Sequence, residues 1–302
     1  MKIDMHCHTK EGSIDAKVKI ENYINKLISN GCNGMLVTDH NSYNGYRKFK
    51  EIANRMNLKE FTVLKGIEYD TKDAGHIIAI LPEHINEKIL EVRGMKVKQL
   101  EKLVHGLGGV LGPAHPYGTG YYAFANTKFC KNNMNFIKKF DFIETFNACT
   151  KPHENMLADR LAERFNKLKT GGSDAHKEDV VGMAFTEFSD IIRNNDDLIS
   201  AIKSNKATKV HGNVIEKKLK KSNVIIEEAG IIGYYIYNRL GAWLNKDKLT
   251  ILMVELHNRY LNDIQDICKK YNERKEDMEN IRKYIDCHFR EKKVVQIGRA
   301  HV

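Results

Sequence analysis

The stretch that decides the reading is "MKIDMHCHTK" (1–10), an alternating run that ends in His6 and His8 on either side of Cys7. In an extended strand, residues two apart point to the same face. Two imidazoles so placed can grip one metal ion. An isolated pair of this kind is more often structural, so the rest of the chain has to decide.

Working outward, residues 1 to about 212 alternate short β-type runs with helical patterns. "GMLVTDH" (34–40), "FTVLKGIEYD" (61–70), "HIIAILP" (76–82), "GGVLGPAHP" (108–116), "FDFIETFNA" (140–148) and "LKTGGSDAH" (168–176) read as strands or strand-to-loop units. Helices are expected near 17–30, 44–57, 95–106 and 153–166, with a hairpin or tight connection between the strands at 61–70 and 76–82. Strands alternating with helices imply parallel βαβ units, and seven or so suggest a closed or nearly closed barrel. Chemistry-bearing residues then fall at strand ends: Asp39 and His40, Glu68, His115, Asp174 and His176, with only His76 at the start of a run. In a β/α barrel those ends converge on one face, where active sites form. Random placement would not order six such groups along the strand edges.

The motifs "DMHCHT", "VTDHNS", "GIEYD", "GHIIAI", "PAHPYG" and "GGSDAH", in this order, resemble the PHP (polymerase and histidinol phosphatase) family over residues 1–212. The resemblance implies an α/β fold, a distorted (β/α)7 TIM-like barrel. It also implies phosphoesterase activity with two or three divalent ions (zinc, manganese or iron), of the stand-alone bacterial type. It distributes the ligands as follows. His6, His8, Glu68 and Asp174 serve one ion. Glu68 bridges to a second, shared with His76 and His115. His40 and His176 serve a third, for which "TKEGSIDA" lacks the further histidine of some members, leaving Asp15 as the candidate. Glu68, Asp39 and His176 are expected to carry catalysis, Asp39 by orienting a ligand histidine. Two ions sharing a carboxylate can hold a hydroxide for attack on phosphorus. Mixed imidazole and carboxylate donors do not select among the candidate metals.

Substrate contacts are expected from Tyr117 and Tyr121 in the aromatic loop 115–129, where a base could stack, and from Lys10 and Lys177 beside motif loops. The expected substrates are phosphomonoesters, nucleoside 3′,5′-bisphosphates or the ends of short oligonucleotides. Histidinol phosphate is the alternative within the same chemistry. A non-catalytic metal-holding module that docks a partner through its tail is the alternative of another kind. The net charge of +10 favours anionic partners. Six cysteines without a CxxC pair give no disulfide framework, and a reduced, cytoplasmic chain is expected. No signal peptide is visible. The most apolar run, "AGIIGYYIY" (229–237), is too short to span a bilayer. Residues 213–302 read as a helical appendage, with an apolar helix at 223–244 and an amphipathic one from 249 to 271. No metal ligand is expected there, so His257 and His288 are read as cap or surface histidines. The final "IGRAHV" reads like translated library-adapter sequence and is excluded from functional argument.

Overall fold

The structure, a computed structural model, describes residues 1–213 except 57, 59 and 119–121. Beyond 213 it describes residues 233, 236, 239–244, 248, 251 and 252, all helical. The chain divides into two compact units, Met1–Asn245 and Lys246–Val302. The amphipathic helix expected at 249–271 lies almost wholly outside the described residues, as do His257 and His288.

In the first unit, β1 (Lys2–Cys7), β2 (Gly34–Val37) and β3 (Thr62–Lys65) are parallel neighbours, joined by α1 (Ile20–Ser29) and α2 (Asn44–Ile52). The run at 61–70 is not one strand. It breaks at Gly66, and β4 (Ile67–Thr71) leaves the first sheet to pair antiparallel with β5 (Gly75–Ile80). After α3 (Val97–Gly106), β6 (Val110–Pro113) adds antiparallel to β5. The short α4 (Lys128–Asn132) precedes β7 (Phe142–Asn147). This strand, α5 (Pro152–Phe165) and β8 (Leu168–Gly172) form a parallel βαβ unit. Helix α5 starts with Pro at its first turn and ends on Asn166 at φ 49°, a left-handed C-terminal cap.

Two strands were not expected. β9 (Ala184–Phe188) and β10 (Ala207–Gly212), connected by α6 (Asn195–Lys203), pair antiparallel with each other, and β9 pairs with β1. The sheets are therefore β10-β9-β1-β2-β3, β4-β5-β6 and β7-β8; the expected parallel pairing is found in β1-β2-β3 and β7-β8, and the other pairs are antiparallel. They adjoin at three seams. Asn41 N donates to Glu68 O, Asp141 N to Leu111 O and Asp174 N to His6 O. Strand interiors such as Ile3, Met5, Leu36, Leu64, Ile78, Val110 and Phe142 share one buried cluster, and α1 buries Tyr23, Ile24 and Leu27 in a second. Burial without alternation is what strands covered on both faces show.

At the end of α3, His105 lies 2.9 Å from Asp141 and 3.2 Å from Glu101. These two partners raise its pKa to about 9 against the cost of burial. A raised folded-state pKa gives stability that is whole below the unfolded value near 6.5 and is lost as pH climbs through about 9. In thermal melts, His105→Gln should lie below the native chain at pH 6, with the gap closing by pH 9.5. A constant gap would mean the contact acts by packing alone.

Candidate metal centre

The side chains that matter reach one end of the sheets by different routes. His6 and His8 close β1. Asp39 and His40 follow β2. His115 follows β6, and Asp174 and His176 follow β8. His76 was the exception to the strand-end pattern because it begins β5. Since β5 runs antiparallel to β4 and β6, its beginning lies at that same end, with Asp70 opposite His76 and Pro113 opposite Ile77.

Glu68 is the hub. It is fully buried, and its two oxygens face different sets of imidazoles. Oε1 lies 2.9 Å from His76 Nδ1 and 3.0 Å from His115 Nε2. Oε2 lies 2.9 Å from His40 Nδ1, 3.3 Å from His8 Nε2 and 3.5 Å from His6 Nε2. Asp174 Oδ1 adds 3.1 Å to His8 and 3.5 Å to His6. On the far side of His8, whose ring lies 4.3 Å by centroid from those of both His40 and His176, Asp15 comes to 3.2 Å from His176 Nε2 and 3.6 Å from His40 Nε2. Asp15 is half exposed, so this corner opens to solvent.

Burial opposes charge on these histidines. It is outweighed at His6 by Glu144, Asp174 and Glu68, and at His40 by Glu68 and Asp15, so both pKa values stand well above the ordinary imidazole range. At His8, burial and then His176 and His40 push the value down. Burial would raise Glu68, but His76, His40 and His6 hold it well below the usual carboxylate range. Three triads offer ligand atoms within 4.8 Å of one another: His6, His8 and Glu68; His40, Glu68 and His76; and His8, His40 and His176.

The donors fit divalent ions on two further observations. Glu68 Oε2 is buried and makes no hydrogen bond to a described residue, although three ring nitrogens surround it. His6 Nε2 and His8 Nε2 face each other at 3.0 Å, as two nitrogens aimed at one ion would. A buried polar atom left without a partner is costly unless something else satisfies it.

Around this set stands a layer that sequence reading captured only in part. Asp39 accepts from Thr9 N at 2.6 Å, Thr9 Oγ1 at 2.8 Å and Ser13 Oγ at 2.9 Å, and Ser13 Oγ lies 3.1 Å from His8 Nδ1. Burial raises Asp39 to about 6 against these bonds. The Asp39 carboxylate fills the space where side chains at Gly12 or Gly45 would stand. Asp39→Ala should weaken metal binding about 10- to 100-fold, as loss of such supporting groups does, measured by competition with a chromophoric chelator. Unchanged affinity would remove Asp39 from the machinery.

Glu144 was missed. It is buried, lies 2.9 Å from His6 Nδ1 through Oε1, and accepts His115 N at 2.6 Å and Asn147 Nδ2 at 3.1 Å through Oε2. Asn147 also donates to Asp174 Oδ2 at 3.1 Å. The only sequence signal was a carboxylate inside an apolar strand, "FDFIETFNA". Asn41, His115 and Asp174 take φ of 50°, 29° and 51°, conformations that side chains adopt only where the surroundings enforce them.

Of the expected substrate contacts, Lys10 and Lys177 are exposed on the loops after β1 and β8, and Tyr117 is half-buried. Tyr121 lies outside the described residues. Phe124 is buried against Phe140 and is core. Among the described residues, Tyr122 brings an aromatic ring beside the ligands, 4.6 Å by centroid from His76.

The family model described as PHP-associated matches residues 152–207. No curated protein matches the sequence. Three solved structures share the fold. PsfC from Pseudomonas syringae is 17% identical with a TM-score of 0.53, covering 79% of this chain and 97% of that one. A two-domain protein from Bacteroides vulgatus, containing a predicted PHP-like metal-dependent phosphoesterase, is 18% identical with a TM-score of 0.52, covering 70% and 65%. A lesion-specific endonuclease from Pyrococcus furiosus is 17% identical with a TM-score of 0.52, covering 67% and 56%.

Proposed function

We propose that this chain, PHP-type by its fold and its PHP-associated segment, is a metal-dependent phosphoesterase that releases phosphate from nucleotides or the ends of short oligonucleotides. The observation that carries this reading is Glu68, a buried carboxylate whose oxygens serve two separate imidazole sets. His6, His8, Glu68 and Asp174 would hold one divalent ion, Glu68, His76 and His115 a second, and His40, His176 and Asp15 a third. Such ions, when bound, polarise phosphoryl oxygens and lower the pKa of water to about 7.

The chain's own residues do the rest. Asp39 and Ser13 fix the His8 ring, and Glu144 fixes His6. Lys10 and Lys177, exposed on the loops after β1 and β8, would meet an entering phosphate, each as a point charge. Tyr117, Tyr121 and Tyr122 would supply ring faces for a base. We read the three adjoining sheets as the distorted (β/α)7 barrel of the resemblance. Residues 1–212 carry every group named here, and 213–302 are assigned no ligand. No helix among the described residues is long and apolar enough to cross a membrane.

A phosphate-release screen tests the reading. Nucleoside 3′,5′-bisphosphates and 5′-phosphorylated short oligonucleotides should turn over and circular single strands should not. A chelator should abolish release and added metal restore it. Binding of polyanionic substrates should weaken steeply with salt. Preference for histidinol phosphate with nucleotides ignored would move the assignment to amino-acid chemistry. No release from any phosphate ester by metal-loaded protein would leave a binding module.

A further inference from the structure

Strand β4 places Glu68 and Asp70 on one face, two residues apart. The register sets Asp70 directly across from His76 on β5, so all three side chains share that face. His76 turns Nδ1 to Glu68 Oε1 at 2.9 Å and Nε2 toward Asp70 Oδ1 at 3.9 Å. That second separation is too long for a hydrogen bond and suits one bridging water. Asp70 Oδ1 is buried, and no described residue donates to it. Beside it lies a cavity of about 10 Å³ lined by Asn41, Asp70, Thr71, Arg93 and Arg239, the room one water needs.

The outer wall of this cavity comes from beyond residue 213. The helical residues 239–244 approach the segment around Arg93 so closely that a side-chain carbon on Gly94 would lie 3.0 Å from Ala242 Cβ. One on Gly241 would lie 3.0 Å from Arg93 Cδ. Gly94 also has φ of 100°, open to glycine and strained for other residues. Tyr69, the residue before Asp70, pins the segment by donating to Val92 O at 2.7 Å and accepting from Met95 N at 2.9 Å. Arg239, anchored to Lys72 O at 2.7 Å, lines the same cavity as Asp70.

We infer that Asp70 is a positioning residue of the metal centre, orienting His76 through a bridging water and itself held by Arg239, so that the segment after residue 213 tunes the ion His76 serves. This rests on the metal reading above. The physical reason is general: a ligand imidazole is steadied by a carboxylate on its other nitrogen, and a buried carboxylate needs a cation to remain charged.

The test uses the full chain loaded with zinc, its stepwise affinities read by chelator competition, and cobalt(II) absorption as a second readout of coordination. Asp70→Asn should release one ion about 10- to 100-fold more readily and leave the others unchanged. Arg239→Met should weaken the same ion by less, Arg239→Lys should restore it, and the double variant should be no weaker than Asp70→Asn alone. Native affinity for every ion in Asp70→Asn, or an equal loss at all ions together with a lower melting temperature, would overturn the inference while leaving the metal centre standing. A native chain that binds less than one ion would sink the metal reading itself.

Discussion

Glu68→Gln should strip at least one ion from the protein and lower phosphate release about 10²- to 10³-fold, while the melting curve of the metal-free chain moves little. The substitution keeps the volume and replaces one oxygen by an amide nitrogen that cannot ligate. Among the described residues, Glu68 alone faces both imidazole sets, His76 and His115 on one oxygen and His6, His8 and His40 on the other. Losing a shared anionic ligand weakens the hold on the ions that would offset phosphate charge, an effect of the size assigned to one electrostatic catalytic contact. Elemental analysis beside the rate separates the causes. Native metal content with a lost rate would recast Glu68 as a proton-transfer group, and an unchanged rate would remove it from the site.

Gly172→Ala should be among the most damaging single methyls. A side-chain carbon at Gly172 would overlap His6 Cβ and stand 2.5 Å from His6 N. Neither is the far end of a flexible side chain, so the strand end carrying the GGSDAH loop must move away from β1. Forced overpacking costs roughly 1–3 kcal/mol, and more where backbone meets backbone. A cost of about 3 kcal/mol corresponds to a drop of roughly 6–12 °C in melting temperature for a domain of this size. Metal should be lost along with stability, because Asp174 N donates to His6 O across this seam. A variant with native melting temperature and native metal content would show that the strand end yields freely.

Much of this was legible in the sequence because metal ligation needs particular residue types at strand ends. The HxH of β1, the Asp-His after β2 and the DxH after β8 point to one site only when taken together and in order along the strand ends. What spacing could not convey was direction. The run 61–70 looks continuous because its apolar residues do not change character at Gly66, yet the break sends Glu68 into a different sheet. β9 and β10 were overlooked since Ala184–Phe188 buries only alternate residues and Ala207–Gly212 is largely exposed, so neither forms an apolar run. Glu144 and Asp70 were passed over for a shared reason. A carboxylate inside a strand reads as a solvated position until the structure buries it beside His6 or His76.

The central claim is that Glu68, the five histidines that face it and His176 beyond them form a multinuclear metal centre. Elemental analysis of protein purified without chelators tests it most directly. The account predicts at least two transition-metal ions per chain, lost in Glu68→Gln and regained by the native chain after stripping and reloading. Fewer than one ion per chain after reloading would contradict it.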